Sequence, residues 1–155
     1  MTTPPVGRSP SFSTVTWVED ETFRAETPKG GVMTLDGHAR VAQSPPEALL
    51  SALGACTLVD IVNILKKRRT PASSADVRLI GQRVTAPAPR FHAIELEFHV
   101  DGAGIEREPA EHAVALAVTK YCTVKDSLDT AITFTWRLVL NGERGPDHDA
   151  TGRAA

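Results

Sequence analysis

This chain has few cysteines and few aromatic residues, and its positive and negative charges nearly balance. Only two of its 155 residues are cysteine, and aromatic residues make up 5%. With 17 Lys plus Arg against 19 Asp plus Glu, the net charge of −2 provides no electrostatic attraction for nucleic acid or for an anionic membrane surface. We therefore expect neither nucleic acid nor a membrane as a partner.

Targeting signals and metal-binding motifs are also lacking. The first ten residues are polar and rich in proline, without the apolar stretch of a secretion signal, and we expect no segment long enough to span a membrane. A cytoplasmic location follows as the expectation. The two cysteines are too far apart for a zinc knuckle, and the five histidines show no metal-ligand spacing, so we expect no metal site.

The hydrophobic pattern predicts one α+β domain over residues 11–140, between a disordered arm at 1–10 and a disordered tail at 141–155. Alternating residues predict strands, and 3.6-residue periodicity predicts helices. The predicted strands are residues 12–18, 22–26, 32–35, 76–84, 91–100 and 132–140. The predicted helices are residues 44–69, 109–122 and 123–129.

The long helix at 44–69 is the central element. Ser44 is a good N-cap, and Glu47 stands where a capping box requires an acidic side chain. The helix is apolar on nearly every side, which indicates a buried helix. Because one chain would struggle to cover it, we expect a homodimer in which the helix lies under the partner's sheet.

Three polar side chains interrupt the apolar surface of this helix. Cys56, Asp60 and Asn63 follow one another at i, i+4 and i+7, so they share one stripe of the helix. Because burying a carboxylate is costly unless it is paired, we expect Asp60 to be buried with a cationic or N–H partner. From this helix alone, Cys56 reads more readily as a small core residue than as a reactive one, because free cysteine is often buried.

The second cysteine lies at a predicted break between two helices. The sulfur of Cys122 would then sit at the N-terminus of the short helix, where backbone N–H groups stabilise a thiolate, and Lys120 and Lys125 would act in the same sense. If the two thiols met, one could attack a peroxide and the other could condense with the resulting sulfenic acid. An arginine usually completes such chemistry, but spacing alone does not establish the pairing.

Two motifs resemble those of a known family. The run Ser44-Pro-Pro-Glu-Ala-Leu-Leu-Ser-Ala-Leu-Gly-Ala-Cys56-Thr-Leu-Val-Asp60, followed by Lys120-Tyr-Cys122-Thr-Val, resembles the OsmC/Ohr family of osmotically inducible and organic hydroperoxide resistance proteins. The likeness covers nearly all of residues 12–140 and is strongest to the less characterised OsmC-like branch.

The resemblance implies an OsmC-like fold, in which an antiparallel sheet packs on a long central helix within an intertwined homodimer. It also implies a thiol-dependent peroxidase that reduces organic hydroperoxides without a metal or another cofactor and is regenerated by a cellular dithiol. By motif, Cys56 matches the cysteine that attacks the peroxide, and Cys122 matches the resolving cysteine.

The chain departs from the family pattern at the catalytic glutamate. That position is Pro46 here, while Glu47 lies opposite Cys56 on the helix and reads as a cap. Arg40 occupies the loop in which the family has its arginine. The alternatives for this arginine lie on strands or in their loops: Arg24, Arg83 and Arg90.

Three functions remain open from the sequence. The first is a peroxidase whose substrate site has apolar walls formed by Leu49 and Leu53, which would favour bulky hydrophobic peroxides. The second is a binding or stress-associated module of the same fold with inert thiols. The third is hydrolysis or acyl transfer by Cys56, which ranks last because no histidine stands at a convincing partner position.

Overall fold

A computed structural model of the chain describes Gly7 and residues 9–152. It divides the chain into two compact units, Met1–Ala48 and Leu49–Ala155. Most of the arm predicted over residues 1–10 lies outside the described residues.

The N-terminal unit is a three-stranded antiparallel meander. Its strands are β1 (Thr14–Glu19), β2 (Thr22–Glu26) and β3 (Val32–Asp36), and β2 is the central strand. The three strands predicted from alternation are thus confirmed. The turn between β2 and β3 uses Gly30 with φ of 89°, a conformation that glycine adopts without strain.

The long helix α1 spans Pro45–Lys67. The capping box at its start is confirmed, because the carboxylate of Glu47 accepts hydrogen bonds from the Ser44 N–H at 2.8 Å and the Ser44 hydroxyl at 2.7 Å. At its other end Arg69 adopts a left-handed φ of 63°, and the Thr70 N–H donates to the Leu65 carbonyl at 3.1 Å. This arrangement satisfies a terminal carbonyl and stops the helix.

Within the C-terminal unit, α1 buries one face rather than its whole circumference. The buried residues are Leu53, Gly54, Thr57, Ile61 and Leu65. Val59 is 58% exposed and Val62 is 40% exposed, which agrees with the expectation that one chain does not cover the helix completely. Burial of these side chains by a partner copy stays a prediction. By length and composition α1 could also cross a membrane, which corrects the expectation of no such segment. Its buried face, however, packs as in the core helix of a soluble protein.

The C-terminal unit contains a five-stranded sheet. Its strands are β4 (Ser74–Arg83), β5 (Phe91–Asp101), β6 (Thr133–Leu140), β7 (Glu143–Arg144) and β8 (His148–Asp149). Strands β4 and β5 are antiparallel, but β5 and β6 are parallel, so the expectation of a purely antiparallel sheet is wrong. The helical crossover of residues 102–132 returns the chain so that β6 runs in the same direction as β5.

The predicted disordered tail is ordered as far as the described residues reach. Strands β7 and β8 both pair with β6, the Gly145 N–H donates to the Leu138 carbonyl at 2.8 Å, and Ala150 is buried. The ring of His148 also stacks on Trp136, with 4.1 Å between centroids. The polar composition of residues 141–155 suggested disorder. Pairing of β7 and β8 with the edge of β6, however, satisfies backbone hydrogen-bonding groups of this segment.

The core of the C-terminal unit lies between this sheet and the buried face of α1. Gly54 marks the closest approach, because a Cβ built at this position would lie 2.8 Å from Leu79 Cδ1 and 3.0 Å from Val77 Cγ1 on β4. A side chain at position 54 would therefore press on the side chains of Leu79 and Val77, which would have to shift. Glycine allows α1 to lie close to β4 at this point, two residues before Cys56.

Replacing Gly54 with Val is expected to lower the free energy of unfolding by about 1–3 kcal/mol, because the added methyl groups overpack the contact with β4. Urea unfolding of Gly54→Val measures this change. Ala55→Val is the matched control, since Ala55 is exposed. Equal loss of stability in the two variants would contradict the close approach.

Candidate functional site

Cys122 lies at an irregular junction between helices. Helix α2 (Arg107–Leu116) continues into a π-helical turn (Ala117–Tyr121), which the Cys122 N–H closes by donating to the Ala117 carbonyl at 3.0 Å. The backbone then becomes extended at Cys122, with φ of −69° and ψ of 100°. A wider helical turn of this kind is often found at functional sites, and here it directs the next residue out of the helix.

The short helix α3 (Thr123–Asp126) begins directly after this junction, and Cys122 is its N-cap. The Cys122 sulfur accepts a hydrogen bond from the Lys125 N–H at 3.3 Å, so the predicted position at a helix start is confirmed. The predicted direction of its ionisation is wrong. Burial raises the pKa of Cys122 to about 11, and the contact with Cys56 adds to the rise, which together outweigh the Lys125 N–H.

Cys56 lies midway along α1 and is only partly buried. Its sulfur is 3.7 Å from Thr123 Oγ1. Burial opposes ionisation, but hydrogen bonds from the Val124 N–H, the Cys122 thiol and the hydroxyl and N–H of Thr123 outweigh it, so the pKa of Cys56 is lowered. The α3 turn thus stabilises a thiolate on the neighbouring helix rather than on its own cysteine.

The two free thiols are therefore neighbours with opposite protonation preferences. The pKa of Cys122 is raised and that of Cys56 is lowered, so Cys56 is the thiol of the pair that ionises first. Such an asymmetric pair can carry out nucleophilic attack at one sulfur while the other remains in reserve as a thiol. An inert core cysteine would lack this ring of donors.

The two lysines near Cys122 act differently from the sequence expectation. Lys125 is buried, and its ammonium donates to the Gly152 carbonyl at 2.7 Å and lies 4.9 Å from the Phe134 ring centroid. Burial lowers the pKa of this ammonium, although a Coulombic interaction with Cys122 opposes the shift. Lys120 is exposed and lies over the ring of Tyr121. The hydrogen bond from Lys125 to the Cys122 sulfur comes from its backbone N–H.

Arg40 lies in the N-terminal unit, in the loop after β3. The Asp36 carboxylate organises this loop by accepting the N–H groups of Val41, His38 and Arg40, which holds the pKa of Asp36 below its usual range. The Arg40 guanidinium donates to Asp20 at 2.9 Å. An encounter of Arg40 with a thiolate stays a prediction. Of the alternatives, Arg24 pairs with Glu26 at 2.8 Å, Arg83 ends β4 and Arg90 precedes β5.

The burial of Asp60, and of the leucines expected to form the apolar walls, differs from what the sequence predicts. Asp60 is half-buried rather than fully buried and forms no ion pair with another described residue, because it lines a groove that is open to water. Leu49 is 38% exposed, but Leu53 is 1% exposed and belongs to the core, so it cannot line a substrate site within the chain.

Thr123 and Val124 are the site residues that sequence reasoning did not single out. Their position directly after Cys122, at the start of a helix, was the available signal, since such positions present free N–H groups. Among the described residues, no group of three or more His, Cys, Asp and Glu side chains is placed to hold a metal ion.

Comparison with known proteins gives one consistent family. Residues 36–137 match the OsmC-like protein family. Protein YhfA of Escherichia coli K12 is 37% identical over 123 residues, which are 78% of this chain and 91% of that protein.

Two solved structures show the same fold at low identity. An OsmC-like protein from Mycoplasma pneumoniae aligns with a TM-score of 0.74 at 19% identity and covers 85% of this chain and 97% of its own. The organic hydroperoxide resistance protein OsmC from Legionella pneumophila aligns with a TM-score of 0.58 at 15% identity, covering 86% of this chain and 98% of its own. The expected α+β fold class is therefore confirmed.

The Cys122 thiol is expected to lower the pKa of Cys56 by donating a hydrogen bond. Two substitutions of Cys122 measure how much of the lowering comes from this donor. Cys122→Ala removes the donor and should move the midpoint of the pH–alkylation profile of Cys56 upward by about one unit. Cys122→Ser keeps a hydroxyl donor and should move it less.

Iodoacetamide alkylation followed by mass spectrometry measures both profiles. Wild-type protein provides the reference, because buried Cys122 with a pKa of about 11 reacts slowly. Identical midpoints in all three proteins would show that Cys122 does not act on Cys56.

Proposed function

Since this chain belongs to the OsmC-like protein family and brings two free thiols close enough for each to shift the pKa of the other, we propose that it is a cysteine-based peroxidase for organic hydroperoxides. Family membership supports a function in stress response. The observation that carries the finer proposal is the lowered pKa of Cys56 beside a protonated Cys122. The Legionella relative is an organic hydroperoxide resistance protein, which agrees with this chemistry.

In the first step the Cys56 thiolate attacks the terminal oxygen of the hydroperoxide. An S–O bond forms and the O–O bond breaks, so the sulfur loses two electrons and becomes a sulfenic acid, while the alkoxide leaves and takes a proton to become an alcohol. The Thr123 hydroxyl and the N–H groups of Thr123 and Val124 surround the sulfur and can stabilise the negative charge during this transfer.

In the second step Cys122 attacks the sulfenic sulfur. An S–S bond forms, the S–O bond breaks, and the hydroxide leaves as water with the proton of Cys122. The negative charge on Cys56 raises the pKa of Cys122 in the reduced pair, and oxidation of Cys56 removes that charge. The resolving thiol therefore becomes easier to ionise only after the first step is complete.

A cellular dithiol then returns two electrons and two protons by thiol–disulfide exchange, so the cycle requires neither metal nor organic cofactor. The homodimer and the cytoplasmic location belong to the same proposal. A second copy would cover the exposed apolar side chains of α1, Val59 and Val62.

Arg40 is our first candidate for the family's arginine, because it lies in the loop before the long helix. Arg40 forms an ion pair with Asp20, and both side chains are exposed to solvent, Arg40 by 64% and Asp20 by 63%. Exposed pairs of this kind contribute about 1 kcal/mol or less, so Arg40 can exchange Asp20 for another anion at little cost.

The second candidate is a binding or stress-associated module with inert thiols. Pro46 favours it, because the family's catalytic glutamate is absent and Glu47 is engaged in capping α1. The two candidates differ in whether the thiols are consumed by a peroxide.

Mixing reduced protein with one equivalent of cumene hydroperoxide is expected to remove both free thiols per chain and to produce an intramolecular disulfide. Thiol counting and mass spectrometry measure these changes. Cys122→Ser should instead accumulate a sulfenic acid on Cys56 that dimedone traps, and Cys56→Ser should not react. Two surviving thiols per wild-type chain would reject the peroxidase in favour of the inert module.

A further inference from the structure

Residues 143–152, which we call the C-terminal segment, pack on the C-terminal unit along most of their length. The backbone of the segment pairs with β6 through β7 and β8, and the side chain of Ala150 is buried. The match to the OsmC-like family ends at residue 137, so family membership assigns no role to these residues. This ordered segment therefore lies outside the part of the chain that the family defines.

Side chains of α2 and β6 hold the C-terminal segment from two sides. On α2, the Arg107 guanidinium donates to the Glu143 carbonyl at 2.6 Å. On β6, the Arg137 guanidinium donates to the Asp147 carboxylate at 2.7 Å. The end of the segment reaches further, to helix α3.

Helix α3 depends on tertiary contacts for its position. It has four residues, too few to be stable as an isolated helix, and Lys125 is the only one of the four that is buried. The Lys125 ammonium donates to the Gly152 carbonyl at 2.7 Å and lies 4.9 Å from the centre of the Phe134 ring. The buried residue of α3 is thus held in part by the end of the C-terminal segment.

Burying the Lys125 ammonium is costly unless acceptors and negative charge replace the water that it loses. Burial lowers its pKa, and Coulombic interactions with Asp126, Cys122 and Asp149 oppose that shift. Asp149 belongs to β8, so the C-terminal segment provides both a hydrogen-bond acceptor and a negative charge for this ammonium. Displacing the segment would remove both, which favours exit of the side chain to water.

The same residue contacts the thiol site through its backbone. The Lys125 N–H donates to the Cys122 sulfur at 3.3 Å. The two residues before it, Thr123 and Val124, provide N–H donors to the Cys56 sulfur. Hydrogen bonds weaken steeply with distance and misalignment, so a small shift of α3 would weaken these contacts together. Movement of the Lys125 side chain would therefore reach Cys56 through one turn of backbone.

We propose that the C-terminal segment positions the α3 turn for the chemistry of Cys56, and that Lys125 is the positioning residue that connects the two. Docking of the segment then favours the Cys56 thiolate, and by thermodynamic linkage ionisation of Cys56 strengthens the docking. If the proposed peroxidase function holds, on which this consequence rests, release of the segment also slows the attack on the hydroperoxide.

Three substitutions in the full chain test Lys125 without peroxide. Lys125→Met removes the ammonium but keeps the length of the side chain, and should move the midpoint of the pH–alkylation profile of Cys56 upward by about one unit. Lys120→Met is the matched control, because it removes the same charge from an exposed side chain two residues before Cys122, and should move the midpoint by about 0.2 units or less. Lys125→Arg keeps a charged donor and should stay close to the wild-type midpoint.

Hydrogen exchange in peptides that contain residues 148–152 reports whether the C-terminal segment is released. Exchange should be faster in Lys125→Met than in the wild type. His148→Ala removes the stack on Trp136 and leaves Lys125 in place, so it should also speed up exchange and raise the Cys56 midpoint. Because the His148 side chain is 34% exposed, we expect this variant to fold, which keeps the test available if Lys125→Met does not.

Two results would overturn the proposal. The first is an unchanged Cys56 midpoint in either folded variant, Lys125→Met or His148→Ala, whether or not the segment exchanges faster. The second is an equal shift of the midpoint in Lys125→Met and Lys120→Met, since loss of one positive charge would then explain both.

Turnover separates this proposal from the proposed function. A shifted Cys56 midpoint in a protein that consumes no cumene hydroperoxide would reject the peroxidase and support the positioning role. At a pH below both midpoints, a peroxidase should consume the hydroperoxide up to about tenfold more slowly in Lys125→Met, because the thiolate fraction falls about tenfold per unit. Equal rates with equal midpoints would support the peroxidase and reject the positioning role.

Discussion

The hydrogen bonds from the Cys122–Val124 turn to the sulfur of Cys56 are the interaction on which the site depends. A partly buried thiol resists ionisation, yet the donors of this turn lower its pKa. The same geometry keeps Cys122 buried and protonated. One local arrangement thus gives the two cysteines different chemical states, although both are free thiols in the same unit.

Three structural features maintain this arrangement. Gly54 allows α1 to lie close to β4, and the π-helical turn before Cys122 directs the chain out of α2. The third feature is Lys125. Its backbone N–H donates to the Cys122 sulfur, and its ammonium donates to the Gly152 carbonyl of the C-terminal segment. The ordered C-terminal segment is therefore joined to the turn that carries the resolving cysteine.

Much of the fold could be predicted because local signals were strong. Alternation located the long strands, and Ser44 with Glu47 marked the start of α1 to within one residue. Tertiary features were not accessible from the sequence. Two features depend on what packs against each segment: the parallel pairing of β5 with β6, and the ordered structure of residues 143–149. The hydrophobic period of a segment does not encode its packing partner.

The sequence singled out the two cysteines of the candidate site, but it did not predict their electrostatics. Motif resemblance singled out Cys56 and Cys122. The position of Cys122 at a helix start, however, wrongly suggested that Cys122 is the thiol with the lowered pKa. Burial decides the outcome at Cys122, and burial is a tertiary property. Asp60 is a second case, because it was expected to be buried and paired, whereas it is half-buried and lines a groove that is open to water.

The most direct measurement is a crystal structure of the reduced protein at a resolution that places the sulfur atoms and the backbone of residues 122–125 accurately. The account predicts the Cys56 sulfur within hydrogen-bond reach of the Cys122 sulfur and of the Val124 N–H. Sulfur atoms that face separate regions, with the α3 N–H groups directed away from Cys56, would contradict it.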